Sequence, residues 1–426
     1  MNENKKKIAT GWKIVIACML IQAIPYGVLA NIQPQFMHYV VSDTSLGFTT
    51  ASFSLIFTLG TIVSALGSPF IGKLFTKFNI KGLYLSGAFL GCGAFAAYSL
   101  CRTPWQFYVV AAVMQIGAAI ISAIGIPMLI NAWFDEAGKG KALGIAMAGG
   151  SIGNIFLQSL VVYAINAFGY RASYLTFGLV GLVVAIPIVL FMIKLPKDDS
   201  EIIRGKQEKG KENTLTSNWG YTVKEVTSMK YFWIFVIGFF FVGIYVSALS
   251  VQYPTYLHKN PSVNVGIVGS FFAICSLSGN LLGGTLFDKL GPVRTLIIAG
   301  IIVAISDVAL IYAVEITPLA YLFAILKGLS IFVYVMGPAL LVGKLFGNKE
   351  YTGVLGLVQL VFGIGFAFGS SAFGLTVDKL GYTVAWYIIL VAIILAFSSL
   401  VIASSGMIKL NNENKNKKED ATKTVI

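Results

Sequence analysis

Twelve apolar runs, each able to cross about 30 Å of hydrocarbon as a helix of roughly 20 residues, punctuate this chain of 426 residues. They lie at 12–40, 48–72, 82–101, 105–134, 142–167 and 173–194, then at 229–257, 265–287, 294–315, 319–346, 352–376 and 383–408. Strands of alternating polarity are missing, so helices and not a barrel must satisfy the backbone inside the bilayer. Hydrophobic residues at 57% against charged residues at 12%, with a mean hydropathy of +0.81, exclude a soluble globular class. The fold class is all-α integral membrane, with twelve transmembrane helices. Lys5-Lys6-Lys7 ahead of the first run could open a secretory signal. That run is too long and lacks a small-residue cleavage site, so it reads as a retained first helix.

The net charge of +13 raises the question of a polyanionic partner, and its placement answers it. With a cytoplasmic N-terminus, the inner segments carry 26 Lys and Arg residues, and the outer ones only Arg102, Arg171, Lys259 and Lys379. That asymmetry puts both termini inside by the positive-inside rule and accounts for the basic charge without nucleic acid. The expected organisation is a cytoplasmic N-terminus at 1–11, a six-helix half at 12–195, a cytoplasmic linker at 196–228, a second half at 229–408 and a disordered tail at 409–426. The linker is expected to be partly helical near Trp219 to Glu225.

Between helices eight and nine stands Gly284-Thr285-Leu286-Phe287-Asp288-Lys289-Leu290-Gly291-Pro292-Val293-Arg294, a tight charged loop. A degraded copy, Gly72-Lys73-Leu74-Phe75-Thr76-Lys77-Phe78-Asn79-Ile80-Lys81, lies 212 residues earlier. The same offset pairs Phe134 with Phe346, Leu143-Gly144 with Leu355-Gly356, Gly153 with Gly365, Gly125 with Gly337, and Gly169-Tyr170 with Gly381-Tyr382. Several matches at one unbroken offset argue for duplication of a six-helix unit.

From Trp12 to Met407 the chain resembles the major facilitator superfamily, whose plan is two parallel six-helix repeats. Gly284, Asp288, Lys289, Gly291 and Arg294 match that superfamily's signature loop, which implies a cytoplasmic gate motif. The resemblance implies that Asp288 holds the start of helix five near Lys141-Ala142 through the helix dipole. With Thr76 and Asn79 in place of the Asp and Gly, the first copy should form the weaker latch. Trp133-Phe134 with Gly138, Gly140, Lys141-Ala142-Leu143-Gly144 and Gly149-Gly150-Ser151-Ile152-Gly153 is similar to the oxalate/formate antiporter and monocarboxylate porter branch. So are Tyr221-Thr222, Glu225 and Tyr231-Phe232-Trp233, and Gly169-Tyr170-Arg171 with Tyr174. That branch implies a small organic anion as cargo, carried with a proton or exchanged. Oxalate carriers of the group have cations in helices eight and eleven, whereas 271–283 and 353–373 hold no Lys or Arg, so a dianion lacks its pair of partners.

Charged groups inside a membrane need a partner or a task. Asp307 in helix nine and Lys327 in helix ten lie at matching depth, about 12 Å from the outer ends of their helices at about 1.5 Å per residue. Two readings stand: a structural ion pair, or a Lys327 that binds the substrate carboxylate, with Asp307 and then Glu315 as proton-coupling candidates. Lys327, Ser330, Tyr334 and Gly337 recur at the spacing of one helix face. Further substrate-binding candidates are Tyr26 and Gln33 beside Gln22 in helix one, Gln115 with Ser122, Asn154 and Gln158 one turn apart, and Tyr245 and Gln252 with Tyr256. Helices eight and eleven add Asn280, near Ser276, and Gln359. Each has an interhelical hydrogen bond as its plain alternative.

The expected function is secondary active transport of a small organic anion, a monocarboxylate, by alternating access, through proton symport or exchange (antiport). Alternatives are transport of a larger amphiphile of drug or bile-acid type, suggested by 31 Phe and 19 Tyr, and a transporter-like membrane receptor or sensor. No Walker loop, nucleophile elbow or metal-ligand spacing occurs, so no enzyme, cofactor or metal is expected. Cys18, Cys92, Cys101 and Cys275 read as packed thiols, and His38 and His258 as solvated residues near outer helix ends. The expected partners are a small-molecule substrate and the lipid bilayer, the expected location the cell membrane, and the expected working form a monomer.

Overall fold

The computed structural model describes residues 2–196, 201, 203 and 219–423. Among these residues, eleven helices are long and apolar enough to span a membrane, and a pair bent by 41° passes the same test when its two parts are taken together. The first six are α1 (Thr10–Ser42), α2 (Thr50–Lys77), α3 (Ile80–Leu100), α4 (Pro104–Trp133), α5 (Glu136–Phe168) and α6 (Tyr170–Phe191). Then follow α7 (Lys230–Leu257), the bent α8 (Val265–Lys289), α9 (Gly291–Tyr312) and α10 (Thr317–Val335, continued by Gly337–Phe346). α11 (Tyr351–Leu380) and α12 (Tyr382–Lys423) complete the set.

Local chemistry sets the ends. Thr49 and Ser52 cap each other's backbone amides at the start of α2, and at α4 Gln106 Oε1 accepts from the Arg102 and Thr103 amides ahead of Pro104. α6 and α12 both begin after a glycine of positive φ, Gly169 at +81° and Gly381 at +83°, so the repeat offset reappears as one backbone turn made twice. The tail after Met407, expected to be disordered, continues as helix to Lys423. Asn411 holds it, donating to Leu345 O at 2.9 Å and accepting from Tyr221 at 2.8 Å.

Two compact units form: Met1–Lys209 with Val251–Leu277, and Gly210–Ser250 with Ser278–Ile426. The end of α7 and most of α8 therefore belong with α1 to α6, and hydrogen bonds explain why. Gln252 donates to Ser54 Oγ at 2.8 Å, Ser270 Oγ donates to Ile155 O at 2.5 Å, and Ser270 and Ser159 hydroxyls lie 2.8 Å apart. Gly266 brings α8 onto the α5 backbone, where an added Cβ would stand 2.8 Å from Ser159 Cα.

Within the first unit α5 presses on α1, and a Cβ built on Gly153 would lie 1.9 Å from Ala23 O. Within the second, α11 presses on α7 through the matching Gly365, 2.1 Å from Phe240 O. Each unit also holds one end of the linker. Ile203 bridges Phe134, with Ile203 N donating to Trp133 O at 2.8 Å and Asp135 N to Ile203 O at 3.1 Å. Gly220 bridges Gly347, with Tyr221 N donating to Phe346 O at 3.0 Å and Asn348 N to Trp219 O at 2.9 Å. Thr222 and Glu225 then box-cap the short helix Val223–Thr227.

Candidate functional site

The second unit holds the intramembrane charges. Lys327 is 5% exposed and sits in the last turn of Thr317–Leu329, where free carbonyls favour a cation. The helix breaks at Ser330, whose Oγ donates to Lys327 O at 2.9 Å, and again at Met336 ahead of Pro338. The expected stripe from Lys327 to Gly337 therefore runs across two interruptions of the helix, at Ser330 and at Met336. Lys327 Nζ donates to Ser250 Oγ of α7 at 3.3 Å and lies 5.6 Å from the centre of the Phe323 ring.

Asp307 on α9 is fully buried, and neither carboxylate oxygen has a hydrogen-bond partner among the described residues. Lys327 is the charge that acts on it. An unsatisfied buried polar group costs about 1–3 kcal/mol and more when charged. Tyr245 Oη and Asn280 Oδ1 of the same unit are likewise buried without a hydrogen-bond partner among the described residues. Tyr334 is partly buried, while Gln359 and Glu315 are exposed. Ser276 spends its hydroxyl on Phe272 O of its own helix, at 2.7 Å.

The first unit gathers the amides. Gln158 Nε2 donates to Asn154 Oδ1 at 2.7 Å and to Asn31 O at 2.9 Å, and Gln158 Oε1 accepts from Gln35 at 2.5 Å. Gln35 also reaches the Tyr253 hydroxyl at 3.5 Å, so α1, α5 and α7 share one buried network. Gln22 accepts from Ser122 at 2.6 Å, beside the π-helical turn Ala119–Ala123 of α4. Gln33 is buried, Tyr26 and Gln115 are partly buried, and the Gln115 side chain lies over Gly60. Gln35 is absent from the sequence candidates because α1 breaks after Ala30. Counting turns from Gln22 through an unbroken helix selects Gln33 instead.

In the signature loop Gly291 takes φ +76°, closing α8, and Pro292 opens α9. Lys344 at the end of α10 donates to Asp288 Oδ1 and to Phe287 O, each at 2.8 Å, and Thr295 donates to Leu286 O at 3.0 Å. Gly284 is partly buried, and Lys289 and Arg294 are exposed. In the first copy Asn79 caps α3 by accepting from Lys81 N at 2.9 Å, and Lys81 Nζ donates to Leu190 O at 2.7 Å. A side-chain cap thus replaces the glycine turn. The side chains of Thr76 and Lys141 lie outside the described residues.

His38 and His258, read as solvated, are instead partly buried and stacked on each other, 4.2 Å between ring centres. They are 220 positions apart, with no local pattern to pair them.

A family model described as Major Facilitator Superfamily matches residues 15–340 and 257–425. The MFS-type transporter pynF of Aspergillus niger is 22% identical over 290 residues, which cover 68% of this chain and 64% of that protein. Monocarboxylate transporter 13 of Bos taurus is 24% identical over 400 residues, covering 92% of this chain and 88% of its own. A crystal structure of the nucleoside transporter NupG superposes with a TM-score of 0.73 at 15% identity, over 92% of this chain and 99% of that one. With its repeated glycine contacts, its signature loop and these matches along its length, the chain belongs to the major facilitator superfamily of transporters.

Proposed function

We propose that this transporter carries a small organic anion, a monocarboxylate, across the cell membrane by alternating access, with both termini cytoplasmic. The observation that carries the reading is the buried Lys327 acting on an Asp307 carboxylate that has no hydrogen-bond partner among the described residues. One bound anion suits one cation, and similarity to a monocarboxylate transporter over most of the chain supports the class.

The pair also supplies a coupling mechanism. Asp307 holds its charge in this apolar setting only against Lys327. A substrate carboxylate that takes Lys327 withdraws that support, and Asp307 then takes a proton. Anion and proton load together, and the occupied site carries no more net charge than the empty one. The test is uptake of a labelled monocarboxylate into proteoliposomes under an imposed pH gradient. Acceleration by an acid outside is the expected result; uptake indifferent to the gradient removes symport and leaves exchange. A thermal-shift screen against organic acids and bile salts tests the cargo class, since a ligand that binds the folded state raises its melting temperature.

The signature loop enters as the inner latch. The Asp288–Lys344 pair is exposed, so for stability it is worth only about 0.2–1 kcal/mol. Asp288→Asn is expected to leave expression and melting nearly unchanged while cutting transport far more than Thr76→Ala does. Equal transport in the two variants would remove the asymmetric latch.

A further inference from the structure

One cluster lies apart from the charged pair, in the other unit. His38, near the end of α1, and His258, one residue past α7, stack with planes 13° apart. Tyr39 stands edge-on to both, 5.2 Å from each ring, and its hydroxyl donates to Asn166 of α5 at 2.7 Å. The surrounding titratable and charged groups are few. Lys259 lies over the Tyr256 ring at 5.5 Å. The Asp43 carboxylate is occupied by Ser45, Tyr170 and Arg171. The hydrogen bonds from Ser45 and Tyr170 hold the Asp43 carboxyl below the usual carboxylate range, so it is committed there and not to an imidazolium. His258 Nε2 is buried without a hydrogen-bond partner among the described residues.

We propose that the His38–His258 stack is a proton-sensitive lock: neutral, it holds the Val251–Leu277 segment on α1 and α5, and protonated, it releases it. Two neutral imidazoles gain from stacking at this distance, whereas two imidazolium ions repel and, among the described residues, no carboxylate acts on His258 to offset them. Release would free the faces that Gln252, Ser270 and Gly266 press onto the first unit.

The pH window follows from the sign of the shift. Burial first, and the His38 charge second, push the His258 imidazole down to about 4, while a released histidine returns to about 6.5. A group whose pKa is lowered in the locked form supports that form fully above about 6.5 and loses this support as pH falls toward 4. Between pH 7.5 and 5.5, His258 alone shifts the locked-to-released ratio about tenfold.

The test is double electron–electron resonance between spin labels at Thr44→Cys and Ser262→Cys, both exposed positions, with the four native cysteines replaced by alanine. The expected result is a long-distance population that grows about tenfold relative to the short one between pH 7.5 and 5.5. It should be absent from the His38→Gln/His258→Gln double variant. Hydrogen exchange on the unsubstituted protein gives a second reading that needs no variant: amides of Val251–Leu277 should lose protection over the same window, after correction for intrinsic rates. A distance distribution that ignores pH, or a double variant that responds as the wild type does, overturns the proposal.

Discussion

Lys327→Gln is expected to remove saturable monocarboxylate uptake while leaving a folded protein. The glutamine keeps much of the side-chain length and can still bond Ser250, so local packing survives. The lost term is the charge-assisted bond to the substrate carboxylate, about 1.5–3 kcal/mol, or roughly ten- to a hundredfold in apparent affinity. Asp307→Asn should behave differently. It removes the proton acceptor but leaves Lys327 to bind anions, so exchange should persist while stimulation by an acid outside disappears. Tracer uptake and counterflow in proteoliposomes measure both. A Lys327→Gln transporter with wild-type KM would make the pair a structural brace and defeat the binding role. An Asp307→Asn transporter still driven by a pH gradient would move the proton site elsewhere.

The second large effect is on stability. Gly153→Val and Gly365→Val are expected to prevent accumulation of folded protein, because each added side chain must occupy the place of a carbonyl oxygen on the crossing helix. Even Gly153→Ala sets a methyl group 1.9 Å from Ala23 O, and forced overpacking of this kind costs roughly 1–3 kcal/mol or more. Gly144→Ala and Gly356→Ala are the controls, since an added Cβ at either meets nothing within 4 Å. Size-exclusion profiles and thermal melts of the purified variants read the contrast. Loss at the control pair equal to that at Gly153 and Gly365 would show that general helix propensity, and not the crossing, governs these positions.

That contrast marks what the sequence could reveal. The repeat offset selected Gly144–Gly356 and Gly153–Gly365 alike, yet only the second pair carries a helix crossing. A spacing records descent as well as contact. The twelve spans were legible because hydrocarbon thickness imposes a length on each, and the signature loop because it is short and local. Asp307 and Lys327 could be found from depth alone, but Ser250, which bonds Lys327, could not, as nothing in α7 marks it. Helix breaks hid the rest. After the interruption in α1, Gln35 meets Gln158, although periodicity favoured Gln33. The facing histidines could be paired only by tertiary packing.

The two linker clasps have a practical meaning. Ile203 is stitched to the backbone at Trp133 and Asp135, and Trp219 with Tyr221 to the backbone at Phe346 and Asn348. Phe134 and Phe346, the residues at the two clasps, are also repeat partners at the 212 offset. Each linker end is thus fastened to its own unit by main-chain bonds that owe nothing to chain continuity between Ile203 and Trp219. A protease site or a fluorescent reporter inserted in that interval would sever or burden neither clasp. The gene could be divided there into two open reading frames, each encoding a fragment that keeps its own fastening.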